Sequence, residues 1–239
     1  MNDRDLASTI TGEVFHPVRI YYKIINSNKL IKCFLALKCM TYDALHNRWV
    51  WLYQREAKKI KFRVPYSAID KKHHPIVLGS FYIKNDETYI EFRSFERAVA
   101  ALQFFGKNIP KNVAEVDNAV IVNKCFESPI EFSVGLDAFF GEIAPVAPPE
   151  DIMDRIEQAV EGLDDSKRPE VAFSIIEESA KQPLPKVERF PVHTNDDDIM
   201  SFKLKLILRD AIALEHWKGN VDYTLFDAMT ILTKDLVKS

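Results

Sequence analysis

The chain has 239 residues, of which 47% are hydrophobic and only 7 are glycine, and it carries a formal net charge of −3. This composition excludes a disordered or fibrous polymer and fits one large or two small globular domains. No apolar run approaches the length of a membrane span; CFLALKCM is the nearest and is far too short.

The N-terminus, MNDRDLASTITGE, lacks the apolar core of a secretory leader, so a soluble cytoplasmic protein with no membrane partner is expected. Cys33, Cys39 and Cys125 are odd in number and form no CxxC pair. Neither a disulfide nor a zinc site is expected from them, and Cys33 and Cys39 read as small buried hydrophobes.

In chain order, residues 1–15 read as a mobile tail. Val18–Ile25 reads as a strand, Asn26-Ser27-Asn28 as a turn, and Leu30–Lys38 as a second strand in preference to a short helix. Arg48–Tyr53 and Lys59–Val64 read as a hairpin. A three-residue loop would face Trp51 with Lys61 and expose an aromatic–cation ladder. A four-residue loop would bury Trp49 and Trp51. The loop QREAK has no glycine to take a left-handed position, which favours the buried register.

Gly79–Gly106 is the best-specified stretch. Ser80–Lys84 and Thr88–Arg93 alternate as a hairpin closed by Asn85-Asp86, pairing Tyr82 with Tyr89 and Phe81 with Ile90. Ser94 is placed to cap a helix whose apolar stripe is Phe95, Ala98, Val99, Leu102 and Phe105, with Gly106 as its stop. Val120–Phe126 reads as a last strand, and a helical turn is expected around Gly135–Gly141. Ala144–Pro149 (APVAPP) is the clearest linker signal. Beyond it the pattern gives helices over about 151–161, 169–182, 196–217 and 223–237, with an extended proline-bearing connection over Pro183–Val192. Three successive acids, Asp196 to Asp198, read as a helix N-terminus capped by Thr194 or Asn195 rather than as metal ligands.

The fold class that follows is α+β: a mainly antiparallel sheet with a covering helix over residues 1–143, a linker at 144–149, and an all-helical region over 150–239. Charge divides along the same boundary. Residues 1–145 hold 20 Lys+Arg against 16 Asp+Glu, and residues 146–239 hold 12 against 19.

No phosphate-loop, dinucleotide, nucleophile-elbow or HExxH motif is present. No cofactor, metal or catalytic residue is therefore assigned. The leading reading is a non-enzymatic binding or regulatory protein that acts through contact with a protein partner. The segment Arg55–His74 holds seven Lys/Arg against two acids. Its Lys58, Lys59, Lys61, Arg63, Lys71 and Lys72 are the candidate contacts for an anion, with nucleic acid as the alternative partner. Tyr82 and Tyr89, on the sheet face away from the helix, are a candidate partner surface. An enzyme whose groups converge only in space is the remaining alternative.

The strings RWVWLYQREAKKIKF, PIVLGSF and SFERA, within residues 45–106, resemble uncharacterised proteins of cyanobacterial type. The resemblance implies no activity and assigns no site residue.

Overall fold

A computed structural model describes residues 5–84, 87–130, 135–140 and 152–237. The expected turn at Asn85-Asp86 and the linker at Ala144–Pro149 lie outside these residues. The strands are β1 (Val18–Ile24), β2 (Met40–Asp43), β3 (Arg48–Leu52), β4 (Val77–Ile83), β5 (Thr88–Phe92), β6 (Ala114–Val122) and β7 (Val187–Pro191). They form one antiparallel sheet in the order β2-β3-β4-β5-β1-β6-β7. The helices are α1 (Ser27–Ala36), α2 (Phe95–Asn108), α3 (Asp137–Phe140), α4 (Ile152–Val160), α5 (Arg168–Lys181), α6 (Asp196–Trp217) and α7 (Leu225–Val237). The fold is α+β, with an antiparallel sheet and most of the helix in the C-terminal half.

The hairpin β4–β5 has the expected register, with Ser80 opposite Glu91, Phe81 opposite Ile90, and Tyr82 opposite Tyr89. Ser94 caps α2 by accepting from the Arg97 N–H at 3.3 Å. The α2 stripe then packs on Phe81, Ile90 and Phe92, forming the main core together with α1 and α6. Asn195 caps α6 by accepting from the Asp198 N–H, with the three acids in the first turn, where the helix dipole favours them.

Five expectations are corrected. Leu30–Lys38 is not a strand: Asn26 caps a helix, α1, and Leu30 and Phe34 meet the core one turn apart. The partner of β3 is not Lys59–Val64 but β2, joined by a turn with Asn47 at φ +49°. Residues Arg55–Lys59 form a tight 3₁₀ turn, and neither proposed register exists, yet Trp49 and Trp51 are buried as the second register required. Helix α2 runs past Gly106 to Asn108, because Gly106 does not take the left-handed backbone of a helix stop. The last strand of the N-terminal half is Ala114–Val122 rather than Val120–Phe126. Residues 5–16 are packed rather than free. Thr11 and Glu13 are buried with Arg97, whose guanidinium donates to the Thr11 hydroxyl.

The C-terminal half also contributes to the sheet. Within the expected connection Pro183–Val192, β7 pairs with β6, setting Phe190 opposite Ala119 and Val187 opposite Val122. Edge strands tolerate proline where its missing N–H faces away from the ladder, which suits Pro191 at the strand end.

Gly79 leaves no room for a side chain. A Cβ there would meet the Phe92 ring at 2.8 Å and the Glu91 carbonyl at 3.0 Å. Gly79→Ala is expected to cost about 1–3 kcal/mol through overpacking, read as a lower denaturation midpoint. An unchanged midpoint would show that this strand junction has slack.

Candidate functional site

The outward face of α2 is flanked by two grooves. On one side the segment 59–61 forms a groove of about 570 Å³ with Ala100, Phe104 and Lys107. On the other side α6 forms a more apolar cleft of about 230 Å³, lined by Phe95, Val99, Leu206 and Ile207. Glu96 borders both, and its carboxylate accepts from Arg63 at 2.5 Å. The arrangement follows from local sequence. Helix α2 buries one stripe and leaves Glu96, Gln103 and Lys107 outward, while α6 is apolar on more than one face. Its buried residues include Ile199, Phe202 and Leu206, yet Met200, Leu204 and Ile207 are exposed at i, i+4, i+7.

The acids bordering this surface are already engaged. Glu56 accepts from the backbone N–H groups of Lys38 and Cys39, Glu96 holds Arg63, and Asp210 holds His16. Burial pushes the Glu56 carboxyl up, but the backbone donors outweigh it and leave the group below its ordinary value. Lys59, Lys61, Lys107 and Lys203 have no carboxylate within salt-bridge distance among the described residues. The surface is therefore an apolar floor bordered by unpaired lysines.

Of the residues singled out from sequence, Lys59 and Lys61 line the larger groove and Arg63 the smaller. Lys58, Lys71 and Lys72 line neither. Lys71 and Lys72 sit on a separate one-turn helix where Asp70 holds Lys72 at 3.2 Å. Lys107 and Lys203 are additions from structure. They lie far from the 59–63 segment in the chain, and only the packing of α2 beside α6 and that segment gathers them.

Tyr82 and Tyr89 stack at 5.3 Å as cross-strand neighbours, but Tyr89 is only 3% exposed, so it offers no open surface. Its sheet face carries a second core with Phe15, Tyr21, Leu136 and Phe140. Within it Arg19, opposite Glu91, donates from Nε and Nη2 to Glu91 Oε1 at 2.8 and 2.6 Å. Arg19 also holds Asp137 of α3 and lies over the rings of Tyr89 and Phe140. Burial pushes the Glu91 carboxyl above its ordinary value, and Arg19 pulls it only part of the way back.

Two groups that could carry chemistry, His16 and Cys125, are buried. His16, 1% exposed, shares a 3.0 Å hydrogen bond with Asp210 and stacks on Phe95 at 4.1 Å. Burial first, and the Asp210 charge second, push the nearby Cys125 thiol up to about 12, which keeps it protonated and poorly nucleophilic. Among the described residues, no three His, Cys, Asp or Glu are grouped to hold a metal ion, and no helix is long and apolar enough to cross a membrane.

Comparison with family models, curated proteins and solved structures gives no match.

Two buried ion pairs set this architecture and can be probed separately. Arg19→Leu strands the buried Glu91 carboxylate and is expected to cost about 3 kcal/mol or more, while Arg19→Leu with Glu91→Leu recovers most of that loss; equal losses in both variants would mean the pair itself stabilises. Glu188 of β7 accepts from Arg209 of α6 at 2.7 and 3.0 Å. Burial pushes the Glu188 carboxyl up, and Arg209 outweighs it, leaving the group below its ordinary 4.5. Its stabilisation is thus complete above pH 4.5 and is lost as pH falls through the lower folded value. Glu188→Gln is expected to lose about 2–3 kcal/mol at pH 7 in urea denaturation, with the gap to wild type closing in acid. A gap independent of pH would mean that ionisation of Glu188 is not its source.

Proposed function

We propose that this protein is a non-enzymatic cytoplasmic binding protein, and that its partner is a protein segment with an acidic, amphipathic helix laid along the outward face of α2. The observation that carries this reading is the set of four unpaired lysines, Lys59, Lys61, Lys107 and Lys203, around the apolar floor of Val99, Ala100, Phe104 and Ile207. An apolar stripe at helical spacing would cover such a floor, and flanking carboxylates would neutralise the lysines. The exposed Met200, Leu204 and Ile207 extend the apolar surface along α6. The three free thiols suit a reducing compartment.

Nucleic acid is the second reading, supported by the same lysines. The surface favours it less. Glu56 and Glu96 lie among the lysines, and Trp49 and Trp51 are buried rather than offered for base stacking.

Panning a random peptide phage library against wild type and against Lys59→Glu/Lys61→Glu/Lys107→Glu distinguishes these readings. The expected outcome is enrichment of peptides combining acidic residues with apolar residues at i, i+3 and i+4, binding wild type at least about tenfold tighter than the variant, a gap of about 1.4 kcal/mol. No enrichment, or equal binding to the variant, overturns the reading. Salt-dependent binding of a single- or double-stranded oligonucleotide that the triple variant loses would transfer the surface to nucleic acid.

A further inference from the structure

A separate cavity, of about 170 Å³, opens on the second face of the sheet, over β3, β4 and β5. It is smaller than the pockets that take drug-sized ligands. Strand alternation explains its lining. Val50 lies opposite Ser80, and Ser80 opposite Glu91. Arg48, Tyr82 and Arg93 stand two residues from these and share their face. Arg97 borders the same space from the first turn of α2.

Three guanidiniums thus surround one small space, and like charges so gathered repel. Burial first, and the Arg48 charge second, hold the Arg93 guanidinium below its ordinary value. Glu91 is the only carboxylate among the described lining residues, and Arg19 already holds it through two hydrogen bonds. Asp43 pairs with Arg48, and Glu13 with Arg97, but neither carboxylate lines the cavity.

The lining also offers donors that lack good acceptors. Arg48 Nε donates to Asp43 at 3.0 Å. Its Nη1 reaches only the Ser80 and Tyr82 hydroxyls, each at 3.4 Å, which is longer than an ordinary N–H···O bond. Both hydroxyls accept in these contacts, and neither donates to a protein acceptor among the described residues. The Arg48 side chain is only 28% exposed and Ser80 only 7%, so bulk water does not replace the missing acceptor for either. Arg97 differs. Its Nη1 donates to the Val77 carbonyl and its Nη2 to the Thr11 hydroxyl, so it supplies charge rather than a contact.

We propose that this cavity binds a small tetrahedral oxyanion, a phosphate ion or the phosphoryl group of a small ester. Arg48 Nη1 and the Arg93 guanidinium donate to its oxygens, as planar guanidiniums suit phosphate. The Ser80 and Tyr82 hydroxyls turn their hydrogens to the same ion. Apart from Arg97, the site shares no lining residue with the grooves beside α2, so it stands independently of the partner reading.

Calorimetric titration of the full chain at fixed ionic strength tests this, with inorganic phosphate, glycerol phosphate and acetate as probes. Saturable phosphate or glycerol phosphate binding is expected, at least about tenfold tighter than acetate. Tighter binding of glycerol phosphate assigns an ester, and equal or tighter binding of inorganic phosphate assigns the free ion; either supports the proposal. Arg48→Gln and Ser80→Ala should each weaken binding about tenfold, the loss of one hydrogen bond to a charged group. Ser80→Ala removes one hydroxyl only, and an unchanged urea midpoint shows that its sheet is intact. No saturable binding, equal binding of acetate, or wild-type affinity in both variants overturns the proposal.

Discussion

The constraint that shapes the second face of the sheet is the burial of two opposite charges, Arg19 and Glu91, on neighbouring strands. Strands β1 and β5 are neighbours inside a sheet covered on both faces, so each must bury side chains in two directions. On the α2 face those positions are Val18, Ile20, Ile90 and Phe92, and the layer is apolar. On the other face the same strands present Arg19 and Glu91. Such charges are admissible only when opposed, hydrogen-bonded and covered. The register opposes them, α3 brings Asp137 as a further acceptor, and Tyr89 and Phe140 place rings over the guanidinium. The second layer is thus organised around a neutralised charge, whereas the first is organised around shape.

This asymmetry determines which surfaces remain for partners. The second face is occupied, and with it Tyr89. The first face is closed by α1, α2 and α6, so the free surface moves outward to the far side of α2. There the acids are bound to backbone donors, Arg63 and His16, and the lysines are left over. The electrostatics of this surface come from how neighbouring carboxylates are already used, and net charge does not describe it. The whole chain is slightly acidic, yet this surface offers unpaired cations.

Several elements were legible from local chemistry. Tyr82–Tyr89 pairing and the Ser94 and Asn195 caps are all present. Each rests on contacts within a few residues or on strict alternation. The failures have different causes. Leu30–Lys38 read as a strand in preference to a helix, and the Asn26 cap with the Leu30–Phe34 spacing decides for helix. Lys59–Val64 alternates like a strand, but β3 is already paired on both edges by β2 and β4, so no edge remained for it.

By itself, the sequence determined the α+β class, the central hairpin and its helix, and a basic segment near residue 60, because these depend on local periodicity, caps and composition. Tertiary structure alone decided that β7 closes the sheet edge, that residues 5–16 are packed, and that Arg19 meets Glu91. It also gathered Lys59, Lys61, Lys107 and Lys203 around α2, and brought Tyr22 to one cavity with residues more than 80 positions away. The physical reason is that antiparallel pairing and helix packing join segments remote in the chain. No single segment records which partner will lie opposite its charged side chains.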